Sequence, residues 1–574
     1  MSDSSGTNVD LEKGSNYSAP SSSNDYAAPL KSTTEGYSTG RYDSRLTQVK
    51  PYEHDPRELE RQLTAKSIQS MTVGRPAITT KSNMSHIGEL PPFGGGKEYP
   101  PNLPNHENYI VDFDGPDDPI HPFNWPMRRK VITGVNLGFL TLVSAWGSAI
   151  FSAATQQITV AFNVSQEVAI LGLTLYVMGF ATGPLMWAPY SELYGRKQPL
   201  IISGFGSGIF QIGVAVAKDI QTVMICRFFA GVFAAAPLAV VGAAFADMFN
   251  NQTRGIALAV FAGAVFAGPM LAPIAGGFIV LNPNMGWRWT EYITAIMAFI
   301  ATGTVAMFYS ETYAPAILVN KAKNLRRLTG NWGIHARQEE ISVSLKDLVV
   351  KNFSRPLKML FDEPIIFLIT IYTAFIYGIL YLNLTAYPII FQQDRGYNSG
   401  VGALPFLAII IGEVCGSICV ILFEPWYNRR VAANGGKPDP EARLPPLIIG
   451  SIVFPAGLFW LAWSGNADVH WIVPTLAGIF IGFGLITIFL QAINYLVDAY
   501  LMFAASALAA NTFLRSMFGA VFPLFATQMF NRLGVAWAGS LLAFLGVAMI
   551  PVPILFYVYG KRIRKMSKRA PTQL

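Results

Sequence analysis

The chain has 574 residues, 52% of them hydrophobic and only 13% charged, with a mean hydropathy of +0.36 and a net charge of +7. That balance excludes a soluble enzyme with a single anchor and describes a chain threaded repeatedly through a lipid bilayer. The excess of Lys and Arg reads as loop charge on the cytoplasmic side, with no nucleic-acid surface implied.

Residues 1–118 are rich in Ser, Tyr, Asn, Gly and Pro and poor in aliphatic side chains. Such a segment buries too little apolar surface to fold alone, and it is expected to be a disordered cytoplasmic tail without a cleavable signal peptide. A collar follows, with Pro119, Phe123, Trp125 and Pro126 ahead of the basic trio Arg128, Arg129 and Lys130. Trp125 suits the membrane interface, and the trio suits the cytoplasmic side.

Twelve apolar runs are long enough to span a bilayer. Six lie near 130–153, 168–190, 199–217, 221–246, 256–281 and 292–310; six more lie near 364–388, 402–422, 446–463, 472–495, 502–526 and 535–559. The expected organisation is therefore an all-α polytopic membrane protein. It comprises a six-helix half over 119–310, a cytoplasmic loop over 311–363, a second half over 364–560 and a basic tail over 561–574. With the N-terminus inside, the inner connections and tail carry 25 Lys and Arg against 4 outside, so the charge bias places both termini in the cytoplasm. Tyr194-Gly195-Arg196-Lys197 and Tyr427-Asn428-Arg429-Arg430 follow the second run of each half, a local sign of internal duplication. Parallel repeats of this kind place a binding cavity between the halves near the midplane.

The fifth run is built from helix breakers. Ala264, Gly268, Ala272 and Gly276 recur every fourth residue and form a smooth ridge flanked by Pro269 and Pro273. A small-residue ridge lets another helix approach backbone to backbone. The expected neighbour is a helix of the second half, where the two halves would slide.

No GxxxxGK[ST] phosphate loop is present, the six histidines show no metal-ligand spacing, and no hydrolase constellation stands out. Neither an enzyme, a cofactor nor a metal is expected, and uphill transport would draw on an ion gradient. The three cysteines, Cys226, Cys415 and Cys419, fall inside apolar runs and read as packing residues. Ionisable groups inside the runs are then informative, because each is costly in hydrocarbon and tends to face a cavity or partner. Glu413, between Gly412 and Gly416, is the first candidate for a protonatable or cation-binding group; a structural carboxylate bonded to a neighbouring helix is the other reading. Gln491, Asn494 and Asp498 share one face of the tenth run. Asp498 lies near its inner end, where a surface or loop contact is expected. Asn511 and Arg515 are four apart on the eleventh run, and Arg515 is deep enough to need a partner. Arg227 in the fourth run is either a coupling group or a snorkelling arginine. Tyr372, Phe375, Tyr377, Tyr381 and Tyr387 crowd the seventh run, as pocket lining for bulky or cationic molecules or as plain core. Asn163-Val164-Ser165 is a glycosylation sequon in an expected outer loop, close to the membrane.

Several motifs resemble the major facilitator superfamily, specifically the fungal drug:proton antiporters with twelve spans. Ala188-Pro189-Tyr190-Ser191-Glu192-Leu193-Tyr194-Gly195-Arg196-Lys197 resembles the loop signature GxLaDrxGrk, with Ala188, Glu192 and Leu193 departing from its Gly, Asp and Arg. Arg227 to Gly231 resembles the RxxxG motif. Gly268, Pro269, Pro273, Gly276 and Gly277 resemble the antiporter motif GPxxGPxxGG, with Ala272 at its second glycine. Trp287-Arg288-Trp289, Ser310 to Pro315 and Asn494 to Tyr500 look like the same group, and the long tail is similar to its polyamine and multidrug branch. The resemblance covers roughly residues 117–565 and implies two pseudo-symmetric halves of six helices. It further implies proton-coupled export of amphiphilic or cationic small molecules such as azoles or polyamines. Arg227 and Glu413 would couple protons; Glu413, Gln491, Asn494, Tyr377 and Tyr381 would bind substrate; Glu192, Gly195, Arg196 and Lys197 would gate. The expected setting is a monomer in the plasma membrane, or the vacuolar membrane, with a small molecule, protons and lipid as partners. Symport or facilitated uptake of a nutrient, and a non-transporting sensor signalling through its tail, are the rival readings.

Overall fold

A computed structural model describes residues 109–249, 251–340, 354–435, 439–500 and 503–567, all within one compact unit. The expectation for the tail falls on residues that, up to 108, lie outside those described. Lys437, residues 341–353 of the central loop and 568–574 of the basic tail also lie outside them.

Eleven helical segments among the described residues are long and apolar enough to cross a membrane. In chain order they are α1 (Met127–Phe162), α2 (Gln166–Tyr194), α3 (Lys197–Val216), α4 (Ile220–Met248), α5 (Ala257–Leu281) and α6 (Arg288–Phe308). Then come α7 (Pro364–Gln393), α8 (Val401–Ala433), α9 (Pro440–Ser464), α10 (Ile472–Tyr500) and the stretch Ser506–Lys565. Its 60 residues would measure about 90 Å as one helix, three times a hydrocarbon core of about 30 Å. Gly534, at φ 73° and ψ 165°, breaks it. The stretch is therefore two spans, α11 (504–533) and α12 (535–566), and the expected twelve are present.

Local chemistry sets the joints. Asn163 ends α1 in the left-handed conformation, which Asn tolerates better than most residues, and the Ser165 hydroxyl accepts from the Val168 amide to open α2. Both polar residues of the sequon thus shape the α1–α2 turn. Ahead of α1, the Asp118 carboxylate accepts from the Asp114 and Ile120 amides, and these bonds hold it below the usual carboxylate range. Arg129 lies over the Trp125 ring at 3.9 Å. The central loop supplies a short amphipathic helix, Ala314–Thr329, and Tyr109 and Val111 exchange backbone hydrogen bonds with His335 beside it.

Close packing follows the glycines. In the first half, α2 meets α4 where a Cβ on Gly179 would stand 2.5 Å from the Gly231 backbone, and one on Gly231 would stand 2.1 Å from the Tyr176 carbonyl oxygen. The corresponding pair of the second half, α8 and α10, repeats the device. A Cβ on Gly412 would lie 2.0 Å from the Ile479 oxygen and one on Gly482 would lie 2.0 Å from the Ile409 oxygen. Without a hydrophobic drive between helices in lipid, such approaches hold a bundle together through dispersion contacts. Between the halves, α2 packs on α11 and α5 packs on α8.

The small ridge of α5 does not face the second half as expected. A Cβ on Gly268 would meet Ala145 and the Leu142 carbonyl, and one on Gly276 would meet Ala153 and Ile150, all of them in α1. Of the motif's glycines, Gly277 at its end abuts the other half, through the Ser399 carbonyl and Gly400. The reason is geometric: residues four apart share one face, and Gly277 points about 100° away from Gly276.

Gly412→Ala is expected to lower stability by about 1–3 kcal/mol, because carbonyl backbone must move. Gly263→Ala, with nothing within 4 Å of the added carbon, should leave it unchanged. Thermal unfolding in one detergent checks both.

Candidate functional site

At the centre of the first half Arg227, fully buried in α4, collects groups from three other helices. Its Nη1 donates to the Gly147 carbonyl of α1 at 3.0 Å and reaches Glu291 Oε2 of α6 at 3.5 Å. Its Nε donates to the Gly172 carbonyl of α2 at 3.2 Å, and Nη2 donates to the Ser148 carbonyl at 3.5 Å. Tyr176 and Phe151 present ring faces 4.4 and 4.6 Å from the guanidinium carbon. This is a structural answer to a buried cation, and it rules out the snorkelling reading. Glu291 escaped sequence reasoning because it lies one residue before the expected start of the sixth run at 292. A carboxylate one helical turn beyond the Trp287-Arg288 pair was the available signal.

The site extends across the halves through hydroxyls. Ser148 Oγ and Tyr381 Oη are 2.8 Å apart, and Tyr381 Oη and Tyr377 Oη are 3.5 Å apart. Tyr377 in turn lies under Arg515 of α11, whose guanidinium carbon is 4.8 Å from the Tyr377 ring and 4.7 Å from that of Phe489 in α10. Phe266 of α5 packs edge-on against Phe489 at 4.6 Å. Tyr377 and Tyr381 therefore stand at the seam. Tyr387, stacked on Phe406, and Phe375, packed against Phe522, belong to the core of the second half.

Glu413 is buried, with both carboxylate oxygens lacking a hydrogen-bond partner. It lies at the α8–α10 contact, apart from the Arg227 and Arg515 groups, so the structure does not gather the expected residues into one cluster. The reading of Glu413 as a bonded structural carboxylate is not what the geometry shows. On α10, Gln491 is buried with an unpartnered Oε1, whereas Asn494 is half-buried. Asn511 donates to Thr373 Oγ1 at 2.6 Å.

At the face where α1 begins, Glu192, Gly195, Arg196 and Lys197, the residues expected to gate, form a capped turn. Gly195 takes φ +91°, and a Cβ there would stand 2.5 Å from Glu311 Oε2. The Glu311 carboxylate accepts from the Arg196 and Lys197 amides at 2.8 and 3.0 Å, a negative charge on the amino end of α3. Arg196 pairs with Asp247 at 3.1 Å, donates to Ser191 Oγ at 2.8 Å and lies over Tyr313. Gln338 of the central loop donates to the Glu192 and Leu193 carbonyls. The second half carries a counterpart. Arg443 bridges Glu424 at 2.8 Å and Asp498 at 3.1 Å, with Tyr427 donating to Asp498 at 2.7 Å. Asp498 is thus a buried member of an ion cluster, and of the surface or loop contact expected it makes the latter, to Arg443 in the Pro440–Arg443 turn at the α8–α9 connection. A Cβ on Gly255 of the helix leading into α5 would meet Glu424, so this cluster abuts the first half.

At the opposite face a recess of mixed character lies between the halves, lined by Gln156, Gln166 and Gln392 together with Leu173, Pro273 and Phe406. The Gly268–Gly277 stretch of α5 reaches it through Pro273. Among the described residues no group of His, Cys, Asp or Glu could hold a metal ion, and the three cysteines are free thiols.

Two six-helix halves joined along a polar and aromatic seam define an all-α polytopic membrane protein. Residues 137–523 match the Major Facilitator Superfamily model, and the chain belongs to that superfamily. It is 52% identical over 485 residues to the multidrug transporter TPO1_2 of Candida glabrata, covering 84% of this chain and 83% of that protein. It is 48% identical over 515 residues to the major facilitator superfamily multidrug transporter FLU1 of Candida albicans, covering 89% and 84%. Among solved structures, the proton:xylose symporter XylE superposes with a TM-score of 0.56 at 13% identity, covering 76% of this chain and 96% of that one; this similarity speaks to the fold.

Replacing Arg227 by Met should cost about 3–5 kcal/mol, because Glu291 is left buried and unpaired. The double variant Arg227→Met, Glu291→Leu should recover most of that loss in the thermal midpoint. Equal destabilisation of the single and double variants would show that the carbonyl bonds, not the ion pair, carry the effect.

Proposed function

We propose that the protein is a proton-coupled multidrug exporter of amphiphilic or cationic small molecules, working by alternating access between its halves. The observation that carries the coupling is Glu413, a carboxylate buried in the membrane with neither oxygen bonded. A carboxylate so placed is stable only when a proton or a substrate cation completes it, which makes the two compete for one site. The identity to named multidrug transporters supports export, and azoles and polyamines are the substrates to try first. Tyr377 and Tyr381 would line the seam against the apolar body of a substrate, and Gln491 and Asn494 offer amides on α10.

Arg227 holds the first half rigid around the seam and passes its position to Tyr381 through Ser148. The Glu192–Lys197 turn and the Arg443 cluster steady one arrangement of the halves at the same face. The α5 motif, tight against α1 and touching Ser399 with Gly277, keeps the first half closed to leakage. The charge bias supports cytoplasmic termini, and the setting proposed is a monomer in the plasma membrane.

In proteoliposomes, an imposed pH gradient should drive substrate against proton flow. Glu413→Gln should reduce that driven flux by at least about tenfold and abolish its dependence on the imposed pH gradient. Accumulation in the same direction as the protons would mean symport and overturn the reading.

A further inference from the structure

Arg515 is 5% exposed, its Nε has no hydrogen-bond partner, and no carboxylate among the described residues pairs with it. Its neighbours are the faces of Tyr377 and Phe489. Arg227, the other buried arginine of the membrane region, has three carbonyls and Glu291. The acidic residues of the second half that could serve are committed: Glu424 and Asp498 to Arg443, and Glu441 to Arg564. Glu363 accepts from Tyr500 and is bonded to Ser567. Glu413 has no cation beside it.

A guanidinium taken out of water without a counter-charge is costly, and aromatic faces offset only part of that cost. Its unused planar N–H edge matches the two oxygens of a carboxylate. The position is at the seam, since Phe489 touches Phe266 of α5 and Tyr377 leads through Tyr381 to Ser148 of α1. A small halide would leave those ring faces unused, whereas an organic acid would cover them.

We infer that Arg515 is an anion-recognition residue that binds the carboxylate of amphiphilic organic acids, with their apolar body against Phe266, Tyr377 and Phe489. Carboxylate-bearing substrates and cations then use different stations, Arg515 and Glu413. This rests on the proposed reading that substrates occupy the seam between the halves, but its test needs no gradient and no transport.

The test is fluorescence titration of the purified full-length protein with 1-pyrenebutyric acid and with its neutral carboxamide, in chloride-free gluconate buffer. The wild type should bind the acid about tenfold more tightly than the amide, as a charge-assisted bidentate contact requires. In Arg515→Gln the two affinities should converge while that for the amide stays put, which also shows that the pocket is intact. Arg515→Lys, a point charge, should keep part of the preference and serves if the Gln variant does not fold. Cys415→Ser, at an exposed position of α8 outside the proposed sites, should retain the full preference whatever the outcome of the proton-driven flux measurement. An acid-to-amide ratio unchanged in both Arg515 variants overturns the inference. So does a wild type without preference, or chloride alone stabilising Arg515 against heat as well as the acid does.

Discussion

A cation buried in hydrocarbon must find its partners inside the protein, and Arg227 shows how much structure that demand organises. To satisfy one guanidinium, α1 and α2 bring backbone carbonyls and α6 brings Glu291, so four helices are fixed at one point. Two of those carbonyls belong to glycines. A Cβ on Gly147 would collide with the Tyr176 hydroxyl, and one on Gly172 would collide with the Phe151 ring. The same residues therefore let the aromatic faces close over the arginine that their carbonyls bind. Packing and electrostatics are one solution here, not two.

The second half repeats the packing without repeating the charge arrangement. Glycines bring α8 against α10 as they bring α2 against α4, yet Glu413 and Arg515 stand apart, one bare and one held by rings. On the proposed function, the half whose charges are internally satisfied would move as a rigid block, and the half whose charges await completion would respond to what arrives. Differential completion of those charges in two arrangements is the thermodynamic requirement for coupling. The hydroxyl pair of Ser148 and Tyr381 joins the rigid block to the responsive one.

The clusters at the helix ends obey a different rule. Arg196 with Asp247 and Glu311, and Arg443 with Asp498 and Glu424, lie where ions can be partly hydrated, and each cluster ties a loop to a helix end. Glu311 acts mainly on backbone amides, so its role depends on Gly195 adopting a positive φ that leaves the amino end of α3 open to it.

The twelve spans and the all-α class were legible in the sequence because a bilayer leaves few options: about twenty apolar residues must form a helix that satisfies its own backbone. Arg227, Glu413 and Arg515 were legible as exceptional for the same reason, being charges where hydrocarbon should be. Their partners were not. Glu291 is 64 residues from Arg227, and Tyr381 is 233 from Ser148. Asp498, which looked like a helix-end contact, is enclosed because Arg443 and Tyr427 converge on it from other helices. The ridge of α5 was readable as a close-packing face, but periodicity gives a face and not its neighbour, and the fold set α1 against it. The sequence by itself determined which segments cross the membrane and which residues pay an electrostatic cost there. Only the tertiary structure decided which of those costs are settled inside the protein and which are left open, because that depends on helices meeting across hundreds of residues.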